Sequence, residues 1–160
     1  VARRIDILRS CGLRLNDVRQ LLEDIRPLPG AVEFLEALGQ EFRIVLVSDA
    51  FEQMVQAPWA RLGCPELRCH RFQCDAEGYV VRPSWRRSRG KHEEVEALAG
   101  AGSWVFAIGD AFNDVSMLRA ADLGVLFRPS MQTAAAAKDI ACAHSYDELL
   151  EILGTAGVWR

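Results

Sequence analysis

The sequence predicts an α/β fold in which a parallel sheet carries helices on both faces, with one small β-hairpin. Three observations predict it. Short apolar runs of strand length recur, Ile44-Val45-Leu46-Val47, Trp104-Val105-Phe106-Ala107-Ile108 and Gly124-Val125-Leu126-Phe127, without the polar alternation of a half-buried strand. Segments with apolar residues at helical spacing alternate with these runs. The composition, 160 residues with 50% hydrophobic and 26% charged, is that of a globular domain able to enclose a sizeable core. Strand–helix alternation with doubly buried strands implies parallel pairing through crossover helices.

The elements follow in order. Arg3 to Ser10 reads as a helix ending at Gly12. Leu15, Val18, Leu22 and Ile25 give a second short helix, with Asn16 as its expected cap. Pro27-Leu28-Pro29-Gly30 breaks the pattern and marks a module boundary, separating residues 1–27 from 28–160. Ala31, Phe34, Leu35 and Leu38 form one helical face closed by Gly39, and the first apolar run follows. Phe51 to Leu62 is helical and ends at Gly63; Leu67 to Arg82, turning near Gly78, is a hairpin. Glu93 to Leu98 and Asn113 to Ala121 are helices on either side of the second run, and Ala134 to Ala137 sits in a helical context. Ser145-Tyr146-Asp147-Glu148 is a capping box.

Charge and cysteine content narrow the function classes. Nineteen Lys and Arg against 22 Asp and Glu leave a net charge of −3, without the basic face that a nucleic-acid partner needs. No apolar run approaches the ~20 residues that cross a bilayer, so no membrane partner is expected. The charged start Val1-Ala2-Arg3-Arg4-Ile5-Asp6 lacks a signal-peptide core. Five cysteines, an odd number, read as reduced thiols in a cytoplasm.

In open α/β sheets ligands gather beyond the carboxyl ends of the strands. Ser48-Asp49 stands there after the first run, either as a helix cap or as a hydroxyl and amides aimed at an anion. Gly109-Asp110-Ala111-Phe112-Asn113-Asp114 stands there after the second. Glycine is expected to let the backbone turn sharply. Asp110, Asn113 and Asp114 are hard oxygen donors suited to Mg²⁺, or else a cap after a turn. Lys91 lies between the two segments in sequence, and alone it would read as a surface charge. A hydroxyl, a cation and a metal-binding acid in this order suit a single phosphate.

On these residues the chain resembles the haloacid-dehalogenase superfamily, and within it the phosphoserine phosphatases and the bifunctional phosphoserine:homoserine phosphotransferase. The resemblance runs from Arg4 to about Leu150 and is carried by Arg4 to Leu15, Leu28 to Leu38, Val45 to Phe51, Leu67-Arg68-Cys69-His70 and Ala107 to Leu118. Ser48-Asp49-Ala50-Phe51 is similar to the phosphotransferase branch, because typical phosphatases carry glycine after the serine. The resemblance implies a Rossmann-like core (28–160) with the remnant of a helical cap (1–27). It implies that Ser48 binds phosphoryl oxygens and that Lys91 neutralises charge on the phosphoryl group and the nucleophile. Asp110 would ligate Mg²⁺, Asp114 would hold the metal's water shell, and Asn113 would lie near the phosphate. Arg4 would grip a substrate carboxylate, a task for a planar bidentate donor; otherwise it is an exposed helix charge. Asp49 would bias the acceptor towards homoserine or cap a helix. The implied substrate is a small phosphomonoester, phosphoserine first, in serine and amino-acid biosynthesis, and a homodimer is an allowed assembly.

The family's reaction needs an aspartate nucleophile on a first strand that lies centrally in the sheet. The Asp-x-Asp motif that carries it is not found in this sequence. The chain opens with valine, and the expectation is that it is the C-terminal portion of a longer enzyme, inactive by itself. Asp75-Ala76-Glu77-Gly78 has suitable letters but the wrong order, and reads as a hairpin turn. A non-catalytic Mg²⁺- or anion-binding domain of the same ancestry is the alternative from another class, and a phosphatase for another small phosphomonoester is the third. Cys64, Cys69, His70 and Cys74 could be soft zinc ligands, but they lack a Cys-x-x-Cys knuckle, and strand alternation puts Cys69 opposite His70 and Cys74. Arg82, Arg86, Arg87 and Arg89, with Trp85 among them, read as a solvated loop or as a patch for acidic partners. His92 and His144 carry no identifiable role.

Overall fold

A computed structural model describes residues 1–159, which pack as two compact units, Val1–Ser88 and Arg89 onward. The Pro27 to Gly30 break falls inside the first of them.

The first unit opens with helices α1 (Ala2–Ser10) and α2 (Leu15–Leu22). Asn16 does not cap α2. The backbone N–H of Arg14 donates to Asp17 Oδ2 at 2.7 Å, so the acid one residue further on closes the helix start. The helix also stops at Leu22, short of Ile25. Helix α3 (Ala31–Gly39) follows and buries Phe34 and Leu38. Strand β1 (Val45–Phe51) is longer than the apolar run: it continues through Ser48 and Asp49, and its pairing is irregular between Val47 and Phe51. Ser48 and Asp49 make no side-chain cap to helix α4 (Glu52–Arg61), whose N-cap is Phe51.

Strand β2 (Glu66–Cys74) does two jobs. Glu66 to His70 pairs parallel with β1, and Arg71 to Cys74 pairs antiparallel with β3 (Val80–Ser84). The expected hairpin is therefore present. Its turn is Asp75 to Gly78: Asp75 Oδ1 accepts from Tyr79 N–H at 2.9 Å, and Gly78 N–H donates to the Asp75 carbonyl. Gln53 of α4 ties the helix to β2, donating to the Phe72 carbonyl at 2.8 Å and accepting from its N–H at 3.0 Å.

The second unit contains α5 (His92–Gly100), β4 (Phe106–Gly109), a 3-10 turn at Phe112–Asp114, α6 (Val115–Ala120), β5 (Leu123–Phe127), α7 (Met131–Ala136), β6 (Ala141–Ala143) and α8 (Tyr146–Thr155). Strands β4, β5 and β6 are parallel, in that order. The helix expected over Asn113 to Ala121 is split, because its first turn tightens around Asp114. Strand β6 was not expected; three residues carry too little pattern to read. Ser145 Oγ accepts from Glu148 N–H as the capping box requires, but Glu148 reaches back to His144 N–H, not to Ser145.

The α/β class with parallel pairing and helices holds. The described residues form two three-stranded sheets in place of one. Burial follows that arrangement. Strand β5 is central in its sheet, and Val125 and Leu126 are fully buried. Strands β1 and β4 each pair on one side only, and several of their apolar residues are half-buried, contrary to the doubly buried strands read from the sequence. Trp104 lies outside β4 and is 45% exposed. Glycine at 124 is required by packing: a Cβ there would stand 2.2 Å from the Leu118 carbonyl oxygen of α6.

Candidate active site

In the second unit the carboxyl end of β4 carries a built cluster of charge. Gly109 ends the strand, Asp110 follows exposed, and the 3-10 turn brings Asp114 back beneath it. Asp114 is buried, and both its oxygens are engaged. Its Oδ1 accepts from Lys91 Nζ at 2.6 Å; its Oδ2 accepts from the backbone N–H groups of Asp110 and Ala111 at 3.1 and 3.2 Å. Lys91 is itself 13% exposed, so the pair sits largely out of water, where short charge-assisted bonds are strong. Asp114 thus fixes the backbone of the Asp110 loop and aims Lys91. Asn113 is exposed on the same turn.

Gly109 has a different reason from the one read in the sequence. Its φ is not in the left-handed region; a Cβ would lie 2.6 Å from Asp114 Cβ and 2.8 Å from Cγ and Oδ2. The glycine is there to admit the Asp114 side chain, not to turn the chain.

In the first unit, Ser48 and Asp49 lie near the carboxyl end of β1. Ser48 Oγ accepts from Ala50 N–H at 3.1 Å, a local turn that leaves the hydroxyl hydrogen available to another acceptor. Asp49 Oδ1 accepts from Arg87 Nη2 at 2.7 Å, and His70 Nε2 stands 3.8 Å from the same oxygen. Arg87 and His70 are buried. Burial, and then the Arg87 charge, push the His70 pKa below its ordinary range. Sequence reasoning missed both residues. Arg87 was one of four arginines in a run, and His70 one of four soft ligands. The available signal was the acid directly after the serine.

Arg4 is exposed on α1, away from any carboxylate contact in its own unit, as a ligand-facing or a solvated arginine both would be. The Cys64, Cys69, His70 and Cys74 set is dispersed: Cys69 is buried while Cys64 and Cys74 are exposed. Among the described residues no group of three or more His, Cys, Asp or Glu side chains is arranged to hold a metal ion. Of the basic run, Arg82 donates to Gln73, Arg87 is buried on Asp49, and Arg89 pairs with Glu96. The charges of Arg82, Arg87 and Arg89 are thus engaged internally, which favours the loop reading over a patch. No helix among the described residues is long and apolar enough to cross a membrane.

The fit of this chain to Mg²⁺ rests on its donor chemistry. Asp110 offers an exposed hard-oxygen carboxylate on a loop held rigid from below, which suits the ion. Asp114, with both oxygens engaged, suits an outer-shell place. The two together would supply only part of a coordination sphere, and further donors would have to complete it.

Known proteins resemble this chain over most of its length. Residues 2–122 match the family model described as haloacid dehalogenase-like hydrolase. A phosphoserine phosphatase of Pseudomonas syringae pv. tomato is 35% identical over 146 residues, covering 91% of this chain and 62% of the relative. Phosphoserine phosphatase ThrH of Pseudomonas aeruginosa is 34% identical over the same length, covering 91% of this chain and 71% of its own. The chain therefore spans less than two thirds of the first of these relatives. A crystal structure of a phosphoserine phosphatase in apo form superposes with a TM-score of 0.71 at 25% identity, covering 89% of this chain and 73% of that one. With a family match over residues 2–122, most of its length, the chain belongs to the haloacid dehalogenase-like hydrolases.

Proposed function

We propose that this chain is the larger part of a phosphomonoester phosphatase or phosphotransferase whose preferred substrate is phosphoserine. The observation that carries the reading is the buried Lys91–Asp114 pair seated under an exposed Asp110 at a strand end. Such a group has little value to stability alone, since buried ion pairs seldom outperform apolar packing. It has clear value to a reaction that develops charge on phosphoryl oxygens, where preorganised cations lower the barrier.

In this reading residues 1–27 are the remnant of a cap and 28–160 the core. Ser48 donates its hydroxyl hydrogen to a phosphoryl oxygen, and Lys91 offsets charge on the phosphoryl group. Arg4 takes the substrate carboxylate, and Asn113 lies near the phosphate. Asp110 and Asp114 would hold Mg²⁺, directly and through its water, and the ion supplies Lewis-acid stabilisation of phosphoryl charge when bound. The nucleophilic carboxylate would come from a segment outside this chain. Its attack forms an aspartyl–phosphate bond as the ester P–O bond breaks, and the alcohol leaves with a proton given by a second acid of that same segment, which takes a proton back from the incoming water or hydroxyl in the next step. Water, or the hydroxyl of homoserine, then takes the phosphoryl group and regenerates the carboxylate. Among the described residues β1 and β4 each pair with a strand on one side only, which supports a reading with a further strand.

The test is phosphate release from phosphoserine by the full-length protein with and without Mg²⁺, with homoserine added in a parallel arm and phosphohomoserine measured. Magnesium-dependent release that Asp110→Asn abolishes supports the reading. Phosphate or Mg²⁺ binding without turnover would favour a non-catalytic domain of the same descent.

A further inference from the structure

The Ser48–Asp49 end of β1 is held by a residue that phosphoryl chemistry does not require. Arg87 lies in the loop after β3, and its side chain is 2% exposed. Its Nη2 donates to the Ser48 carbonyl and to Asp49 Oδ1, and its Nη1 donates to the Arg68 carbonyl at 3.3 Å. One guanidinium thus joins β1 to β2. Only a planar fork reaches several acceptors in this way; a lysine offers one point of charge. A guanidinium out of water needs a counter-charge, and Asp49 supplies it.

The surroundings of Asp49 complete that assignment. Arg86 N–H donates to His70 Nδ1 at 3.1 Å, which leaves the imidazole proton on Nε2, the nitrogen nearest Asp49. Trp85 meets the His70 ring edge-on with centroids 4.8 Å apart, and Phe51 lies 5.9 Å from the same ring. The carboxylate is therefore matched by a guanidinium and faced by an N–H. Although Asp49 is 46% exposed, its charge is already offset, which makes it a weak ligand for a cationic substrate group.

We propose that Asp49 is the counter-ion of Arg87, and that the pair positions Ser48 instead of contacting substrate. Arg87 holds the Ser48 carbonyl, which sets the plane of the 48–49 peptide. That plane fixes the turn in which Ala50 N–H donates to Ser48 Oγ, and so the direction of the remaining hydroxyl hydrogen. The proposal rests on the reading of Ser48 as a phosphoryl-binding group, and it says what the acid after that serine does. Arg87 and Asp49 are positioning residues.

The experiment measures two quantities in the full-length protein for Asp49→Gly, Arg87→Met, Arg87→Lys and the Asp49→Gly/Arg87→Met double variant. The first is amide exchange at Ala50, with Leu38, buried in the same unit on α3, as a monitor of folding away from this turn. The second is kcat and KM for phosphoserine. Expected is Ala50 exchange about tenfold faster in each single variant, no faster still in the double, with Leu38 unchanged. The kinetic expectation is a kcat lower by about tenfold or more at nearly constant KM. Should Arg87→Met not fold, Arg87→Lys keeps the charge but not the bridge, and the same acceleration is expected of it. Wild-type exchange at Ala50 in a folded Arg87 variant overturns the proposal. So does an Asp49→Gly variant whose KM rises while kcat and Ala50 exchange stay put, since that marks direct substrate contact. A wild-type protein that turns over no phosphoserine defeats the functional reading, while the exchange arm still decides the role of Arg87.

Discussion

Replacing Asp114 with asparagine changes one atom and almost no volume, yet no orientation of the new side chain satisfies its neighbours. In the native protein one carboxylate oxygen accepts from Lys91 at 2.6 Å and the other from the N–H groups of Asp110 and Ala111. An asparagine must present its NH₂ either to the ammonium or to the two amides, and each alternative sets donor against donor. The variant also removes the carboxylate charge that Lys91 meets at 2.6 Å, at a site where the lysine is 13% exposed. Breaking a buried pair from one side costs about 3–5 kcal/mol, and a small outward movement of Lys91 into water places the cost near the lower bound. With a urea dependence of about 2 kcal/mol/M, the unfolding midpoint should fall by about 1.5 M. Urea titration followed by tryptophan fluorescence and far-ultraviolet circular dichroism reads it. Asp110→Asn is the control: that carboxylate is exposed, and the change should stay within about 0.5 kcal/mol of wild type while removing activity. An Asp114→Asn midpoint indistinguishable from wild type would refute the account of the β4 loop.

Gly109→Ala should destabilise by about 1–3 kcal/mol, because the new methyl overlaps Asp114 and not because of its φ; a thermal melt at the wild-type temperature would contradict this. Asp75→Ala removes the acceptor for Tyr79 N–H and should cost about 1 kcal/mol while leaving phosphate release intact; loss of release without loss of stability would restore Asp75 as a nucleophile. His70 supplies the pH prediction. Its folded pKa lies below the ordinary value of 6.5, because burial, then Arg87, disfavours the cation. Below pH 6.5 the unfolded chain therefore binds a proton that the folded one refuses, and stability falls as pH drops towards the folded value, being fully retained above. Urea midpoints at pH 7.5 and 5 should differ in wild type, and His70→Asn should narrow the difference; an unaltered difference shows that other groups cause it.

Most of the fold was legible where one local rule decides the outcome. Val125 and Leu126 sit in an uninterrupted apolar run and are fully buried. Ser145 and Glu148 sit at capping-box spacing and both bond to backbone at the start of α8. Asp75 to Gly78 has turn letters and is a turn. What was not legible depends on partners distant in sequence. Strand β1 runs on to Phe51 past two polar residues, because β2 pairs with Phe51 and Arg87, 38 positions from Asp49, meets the charge. Asn16 has good cap chemistry but loses to Asp17, whose carboxylate reaches the Arg14 amide first. Gly109 could be seen as necessary, but its reason, the Asp114 side chain pressed against it, exists only once the 3-10 turn has formed. The acids of the site were legible as a set. Their division into exposed and buried members was not, because adjacent polar letters look alike until a lysine or an arginine is brought to one of them.

That division has the same form at both strand ends. After β4, Asp114 is matched to Lys91 and buried, while Asp110 is left exposed. Near the end of β1, Asp49 is matched to buried Arg87, while the Ser48 hydroxyl keeps its hydrogen free of the Ala50 turn. In each unit one carboxylate is consumed within the protein, and the polar residue it supports is the one able to meet a ligand. The physical reason is common to both. A strand end that must present a group to a charged substrate cannot let its backbone wander, and neutral hydrogen bonds on an edge strand are worth only about 1 kcal/mol each. A carboxylate–cation pair shielded from water holds the backbone more firmly, through bonds roughly twice as strong as neutral ones. Among the described residues β1 and β4 each pair with a strand on one side only, so such a pair adds a tie at the strand end that a ladder on the other side does not supply. On this argument the acid after the serine belongs to the scaffold of the proposed site, and under that proposal substrate contacts are to be sought in the residues those acids hold in place.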